Sequence, residues 1–144
     1  MFSRKGFTIL ELLIVVAVIA ILVGISLPRF KGMQDEGNIA KAKGELRMLQ
    51  TAVESYYIHN NNTLPAALSN LTTAVPQIAP STLPTDPFGG AAYGYAKNGA
   101  WFVVYSAGPG LNGTAAIDAA GAVTETNGSS CIYVTNGSPV DTQP

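Results

Sequence analysis

Hydrophobic and polar positions divide this chain into three stretches with different periods. From Leu12 to Val23 every residue is apolar, and the apolar run as a whole extends from Phe7 to Leu27, broken chiefly by Glu11. As a helix that run would span roughly 31 Å, about one hydrocarbon core. Further on, Ile39, Ala42, Leu46, Leu49, Val53 and Tyr56 recur at spacings of three and four, the single stripe of an amphipathic helix. The stripe stops at His59, where Asn60, Asn61, Asn62 and then Pro65 mark a helix end. Beyond it the period changes to two. Tyr93 and Tyr95 alternate, Trp101–Tyr105 is aromatic and β-branched, and Lys97-Asn98-Gly99 between them predicts a hairpin turn. Asn-Gly pairs at Asn112, Asn127 and Asn136 bound short strands expected near Ala115–Asp118, Ala122–Thr126 and Ser130–Val134. A short helix is expected over Ala66–Leu71, in a stretch otherwise rich in Pro, Ser and Thr. The expected fold is α+β: one long N-terminal helix packed on a small antiparallel sheet.

Glu11 is the residue that a plain apolar anchor does not explain. A carboxylate at a bilayer centre costs roughly 2.5–3.5 kcal/mol on insertion scales. Arg4 and Lys5 before an apolar run also suit a secretory signal peptide, but such a signal has a shorter apolar core and a small-residue cleavage site. A single-span anchor with its basic residues inside fits the length and leaves Glu11 without a role. Pro28 has no N–H for the Gly24 carbonyl, and Gly24 is itself a poor helix former, so a weak point is expected between them.

The stretch "RKGFTILELLIVVAVIAILVGISLP" resembles the N-terminus of type IV pilins and of their secretion-system relatives, the pseudopilins. The resemblance implies a leader of residues 1–6, cleavage by a prepilin peptidase between Gly6 and Phe7, and N-methylation of Phe7. It implies that Phe7, Thr8 and Glu11 serve filament assembly, with Glu11 neutralising the Phe7 amine of a neighbouring subunit. Phe7 and Glu11, four apart, would share one helix face. It also implies that the helix breaks around Gly24 and Pro28 within the filament. Residues 7–28 then form the transmembrane and filament-core half of the helix, 29–60 its amphipathic half, and 61–144 a globular loop and sheet region.

A second stretch, "LPTDPFGGAAYGYAKNGAWFVVYSAGPGLNG" from Leu83 to Gly113, looks like the C-terminal region of major pseudopilins of type II secretion. In those proteins the loop after the hairpin binds calcium. Here Pro109 stands where an acid is expected, and Asp118 is the one carboxylate nearby. Hard cations take several oxygens, usually including carboxylates. No cofactor is expected, with calcium at Asp118 kept as the alternative.

Composition narrows the function further. Of 144 residues, 47% are hydrophobic and only 12% charged, with a formal net charge of −1. Losing the leader removes two of eight basic side chains, leaving six against nine acidic ones, a formal −3. No basic stripe calls for nucleic acid. The single cysteine, Cys131, excludes an intramolecular disulfide and reads as a small buried apolar residue. "GPGLNG" at Gly108–Gly113 matches G-x-G-x-x-G literally but lacks the following helix of a dinucleotide site, so it reads as a turn. His59, the only histidine, reads as a partner for helix-end carbonyls. Sequons at Asn61, Asn70, Asn112, Asn127 and Asn136 follow from an Asn-, Thr- and Ser-rich composition and do not establish glycosylation. No nucleophile stands at a recognisable spacing from a base, so the chain is not expected to be an enzyme.

The leading expectation is a structural subunit of a membrane-anchored helical filament, a major pseudopilin of a type II secretion-like system. The alternative is a major type IV pilin of a surface pilus for adhesion, motility or DNA uptake. A non-assembling binding protein on a membrane stalk is the reading from another class. Implied partners are further copies of the chain, the prepilin peptidase, an inner-membrane assembly platform and lipid before assembly. The implied location is the bacterial inner membrane for the precursor, then a periplasmic pseudopilus or the cell surface.

Overall fold

The computed structural model describes residues 6–126 and 131–138, and only the backbone of 27–29. The chain divides into two units, Met1–Glu36 and Gly37–Pro144. Helix α1, Ile9–His59, contributes to both.

From Ile9 to Ile25 the helix is apolar nearly all round, and none of the described side chains of the first unit is buried. Large side chains from Ile9 to Ile25 are exposed, as are Phe30 and Met33. The best 18-residue window has a mean hydropathy of 3.0 and no burial, long and apolar enough to cross a membrane. The backbone stays helical through Gly24 and Pro28. Between them the Ser26 hydroxyl donates to the Leu22 carbonyl at 2.9 Å, a local bond that satisfies this hydroxyl within the helix.

In the second unit the expected stripe is the buried face. Ala42, Leu46, Leu49, Ala52 and Val53 are buried, with Ile39 and Tyr56 packed at the margin. Lys41 and Glu45 pair across one turn off the stripe at 3.8 Å. The asparagine run ends the helix by its own chemistry. Asn62 N–H donates to Tyr57 O at 3.0 Å and Asn60 N–H to Tyr56 O at 2.9 Å, while Asn61 and Asn62 take φ of 53° and 57°. This is the left-handed C-terminal closure that asparagine tolerates.

The short helix departs from expectation. α2 covers Asn70–Thr73 rather than Ala66–Leu71. Asn70 Oδ1 accepts the Ala67 N–H at 2.8 Å, and the N–H groups of Asn70, Leu71 and Thr72 each reach back three residues. A side chain that takes a backbone donor competes with helix, so residues 66–69 form a tight turn instead.

Among the described residues five strands follow: β1 Gly94–Asn98, β2 Trp101–Ser106, β3 Thr114–Ile117, β4 Val123–Thr126 and β5 Ile132–Thr135. These strands pair antiparallel, with one isolated parallel bridge between Ala122 and Ser138, and they form two sheets, β1-β2-β5 and β3-β4, where one was expected. Strand β2 explains why. Phe102 and Val104 face the cluster built on α1, while Val103, with Trp101 and Tyr105, joins Ala115, Ile117, Val123, Cys131 and Tyr133 on the other side. Successive side chains of a strand point to opposite faces, so a central strand that is apolar on both needs a layer over each. The hairpin turn is also shifted by one residue. Asn98 pairs with Trp101, leaving Gly99-Ala100 as the loop, and Gly99 holds φ 59°. A glycine at the first central position is what a II′ turn requires.

Candidate functional site

The N-terminal residues singled out by sequence lie together at the start of α1. Gly6, Phe7 and Thr8 precede the helix and are exposed. Thr8 Oγ1 accepts the Glu11 N–H at 3.2 Å, and Leu12 N–H donates to Thr8 O at 3.2 Å, so Thr8 is the N-cap. The spacing Thr8-x-x-Glu11 is the sequence signature of a capping box, and it marks this helix start locally. This changes one expectation. Phe7 lies outside the helix, so Phe7 and Glu11 do not share a helical face in this chain; the Thr8 hydroxyl starts the helix two residues later. Glu11 itself is exposed among apolar neighbours, and among the described residues its carboxylate has no ion-pair partner.

The second motif is brought together by a carboxylate. Asp86 is buried, and its oxygens accept from Ser106 Oγ and Ala107 N at 2.8 Å each and from Phe88 N at 3.1 Å. Ser106 was not picked out by sequence, because nothing local marks a serine as the partner of an aspartate twenty residues earlier. The "GPGLNG" stretch is a turn leading into β3, not into a helix. A Cβ on Gly113 would meet Ala107 O at 2.8 Å and the Cys131 Cα at 2.9 Å, so packing accounts for that glycine without any phosphate.

The remaining candidates are locally satisfied. His59 Nδ1 lies 2.8 Å from Ser55 O, at the helix end. Cys131 is fully buried, and burial, with Glu125 and Asp86 adding to it, pushes its thiol up to about 12. Asp118 Oδ1 accepts from Ala120 N and Ala122 N, both at 2.8 Å, closing the β3–β4 turn. No cluster of three or more His, Cys, Asp or Glu able to hold a metal occurs among the described residues. Asn136 is engaged through both amide atoms, with Phe102 N and Ala100 O, while the sequon at Asn127 lies outside the described residues. Burial, and then a 2.6 Å bond to Glu45, pushes the Tyr93 phenol far above its usual range; burial alone pushes Tyr95 up to about 12.

Comparison with known proteins agrees with the N-terminal reading. Residues 1–27 match the family described as the prokaryotic N-terminal methylation motif. The fimbrial protein EcpB of Eikenella corrodens is 42% identical over 59 residues, covering 41% of this chain and 37% of that protein. A fimbrial protein of Pseudomonas aeruginosa is 36% identical over 65 residues, covering 45% and 42%. The type II secretion system core protein G of Klebsiella michiganensis is 29% identical over 101 residues, covering 61% and 70%. The chain thus spans less than half the length of the fimbrial relatives it matches. No solved structure matches. The chain carries a prepilin-type methylation motif, and its relatives are type IV pilins and type II secretion core proteins G.

Proposed function

We propose that this chain is a non-catalytic structural subunit of a membrane-anchored helical filament, of the type II secretion pseudopilin kind. The observation that carries it is Glu11, a carboxylate on an apolar helix with no partner among the described residues. A helix apolar on all sides needs lipid or other helices around it. A lone carboxylate there needs a counter-charge, and cleavage between Gly6 and Phe7 would create one on Phe7 of each copy. Paired charges in a low-dielectric core attract strongly, so the pair sets axial register between copies. Because Phe7 lies outside the helix, its amine is free to be met by a neighbour's Glu11 instead of by its own.

The choice of pseudopilin rests on the lengths of the matches. α1 ends at His59, so a 59-residue match is no longer than the chain up to that point. A match covering 61% of the chain cannot be held within that length and extends into the residues after α1. The higher identity to the fimbrial proteins, 42% and 36%, favours the alternative of a surface pilus. Cells expressing the chain distinguish the two, since deletion should stop protein secretion in the first case and remove sheared surface fibres in the second.

Glu11→Gln tests the shared core of both readings. It keeps size and removes charge, and breaking a buried pair costs about 3–5 kcal/mol at each site. The variant should insert and be cleaved yet fail to yield filaments on shearing. Wild-type filament recovery would refute the register role. Gly6→Val should leave uncleaved precursor in the membrane, whereas assembled wild-type protein should begin at methylated Phe7 by mass spectrometry. A filament map should show non-helical backbone between Ile21 and Arg29, where Gly24 and Pro28 weaken the same turn.

A further inference from the structure

The segment following β2 is closed by an all-protein device centred on Asp86. Asp86 is 4% exposed, and each of its carboxylate oxygens is occupied. Oδ2 accepts from the Ser106 hydroxyl and from Ala107 N–H, both at 2.8 Å, and Oδ1 accepts from Phe88 N–H at 3.1 Å. Ser106 Oγ accepts in turn from Gly108 N–H at 3.1 Å. The main chain of Asp86 closes its own turn, its N–H donating to Ala91 O and its carbonyl accepting from Gly90 N–H, both at 2.8 Å. Beyond the lock, Gly113 N–H donates to Ala107 O and Leu111 N–H to Gly108 O, each at 3.0 Å. One carboxylate therefore ties the 86–91 turn to the entry of the 106–113 segment, and Ala107, held there, accepts the bond that closes it.

A calcium ion does not fit these residues. Pro109 brings no side-chain oxygen to the position where the resemblance expects an acid. Asp118 Oδ1 is turned onto two N–H groups of its own turn. The carboxylate of Asp86 is surrounded by N–H and O–H donors, whose positive ends repel a cation. Calcium takes 6–8 oxygens, commonly with several carboxylates. Donors at a carboxylate give charge-assisted bonds, the stronger kind, and satisfy its oxygens away from water.

We propose that in this chain the segment after β2 is held by the Asp86–Ser106 lock in place of a divalent cation, so that the second unit folds independently of calcium. The proposal stands apart from the filament role, because it is read on the purified chain whether or not it assembles.

The test uses the whole 144-residue chain in detergent, with millimolar calcium or with chelator, followed by thermal unfolding and residue-resolved amide exchange. The wild-type melting temperature should be the same in both conditions. Ser106→Ala removes the acceptor of the Gly108 N–H and one donor to Asp86, and should speed exchange at Gly108 roughly tenfold or more. Exchange across Leu46–Val53 should stay unchanged. Asp86→Asn should extend the loss to Ala107 and Phe88; should it fail to fold, Ser106→Ala and the wild-type calcium comparison still decide. A saturable rise in wild-type melting temperature with calcium, abolished by Asp118→Asn, would overturn the proposal. So would wild-type protection of Gly108 in Ser106→Ala.

Discussion

The two parts of α1 share one backbone geometry and have opposite relations to their surroundings. From Ile9 to Ile25 the large side chains are exposed although nearly all are apolar. From Ala42 to Val53 the apolar side chains on one face are buried, and charged groups such as Lys41 and Arg47 stay outside. The difference lies in where the partners come from. The second part finds Phe102, Val104 and Ile132 within its own unit. The first finds none among the described residues of its unit, so its apolar surface is an offer to lipid or to other copies. An all-round apolar helix and a striped one thus carry different instructions even when they are continuous.

Core truncation separates the two parts most strongly. Leu46→Ala should cost about 2–5 kcal/mol of unfolding free energy, because Leu46 is fully buried and leaves a cavity. Leu13→Ala, on an exposed site, should leave that unfolding unchanged and act only on membrane retention or assembly. Denaturant titration of detergent-solubilised protein, followed by Trp101 fluorescence, reads both. Equal losses would erase the comparison.

Alkaline titration should also single out the second unit. Burial raises the Cys131 thiol from 9.0 to about 12, raises Tyr95 from 10.0 to about 12, and raises Tyr93 further. Each group holds its proton more tightly when folded than when unfolded. Their contribution is complete below the unfolded-state values and is lost as pH rises through 9–10 toward the folded ones. Melting temperature should therefore fall steadily above about pH 9, and Cys131 should resist thiol reagents until that unfolding. A flat profile to pH 11 would contradict the burial of these groups.

The smallest effect belongs to the start of the first part. Thr8→Ala removes the N-cap hydroxyl and should cost about 1 kcal/mol locally. The loss should appear as faster exchange at the Glu11 amide, restored by Thr8→Ser, with no change in unfolding of the second unit. If the global melt moves instead, the two parts are more tightly coupled than their burial indicates.

Much of this was legible along the chain. The apolar run, the three-four stripe, the asparagine stop and the alternating strands are local patterns, and each predicted its element within a few residues. The N-terminal methylation motif was legible for the same reason, since Gly6, Phe7, Thr8 and Glu11 are neighbours in sequence. Misplacements arose where a side chain outbid the local pattern, as Asn70 did at Ala67 and as the strand register did at Gly99.

What only the tertiary structure decided are the contacts between residues far apart. Asp86 meets Ser106, Tyr93 meets Glu45, and Gln50 donates to the Thr135 carbonyl across 85 residues. The splitting of the strands into two sheets is of the same kind, because it depends on what covers each face of β2. Periodicity and capping act between residues a few positions apart, so a sequence states them directly. A hydrogen bond between distant residues exists only after the chain has closed on itself, and no local pattern encodes its partner.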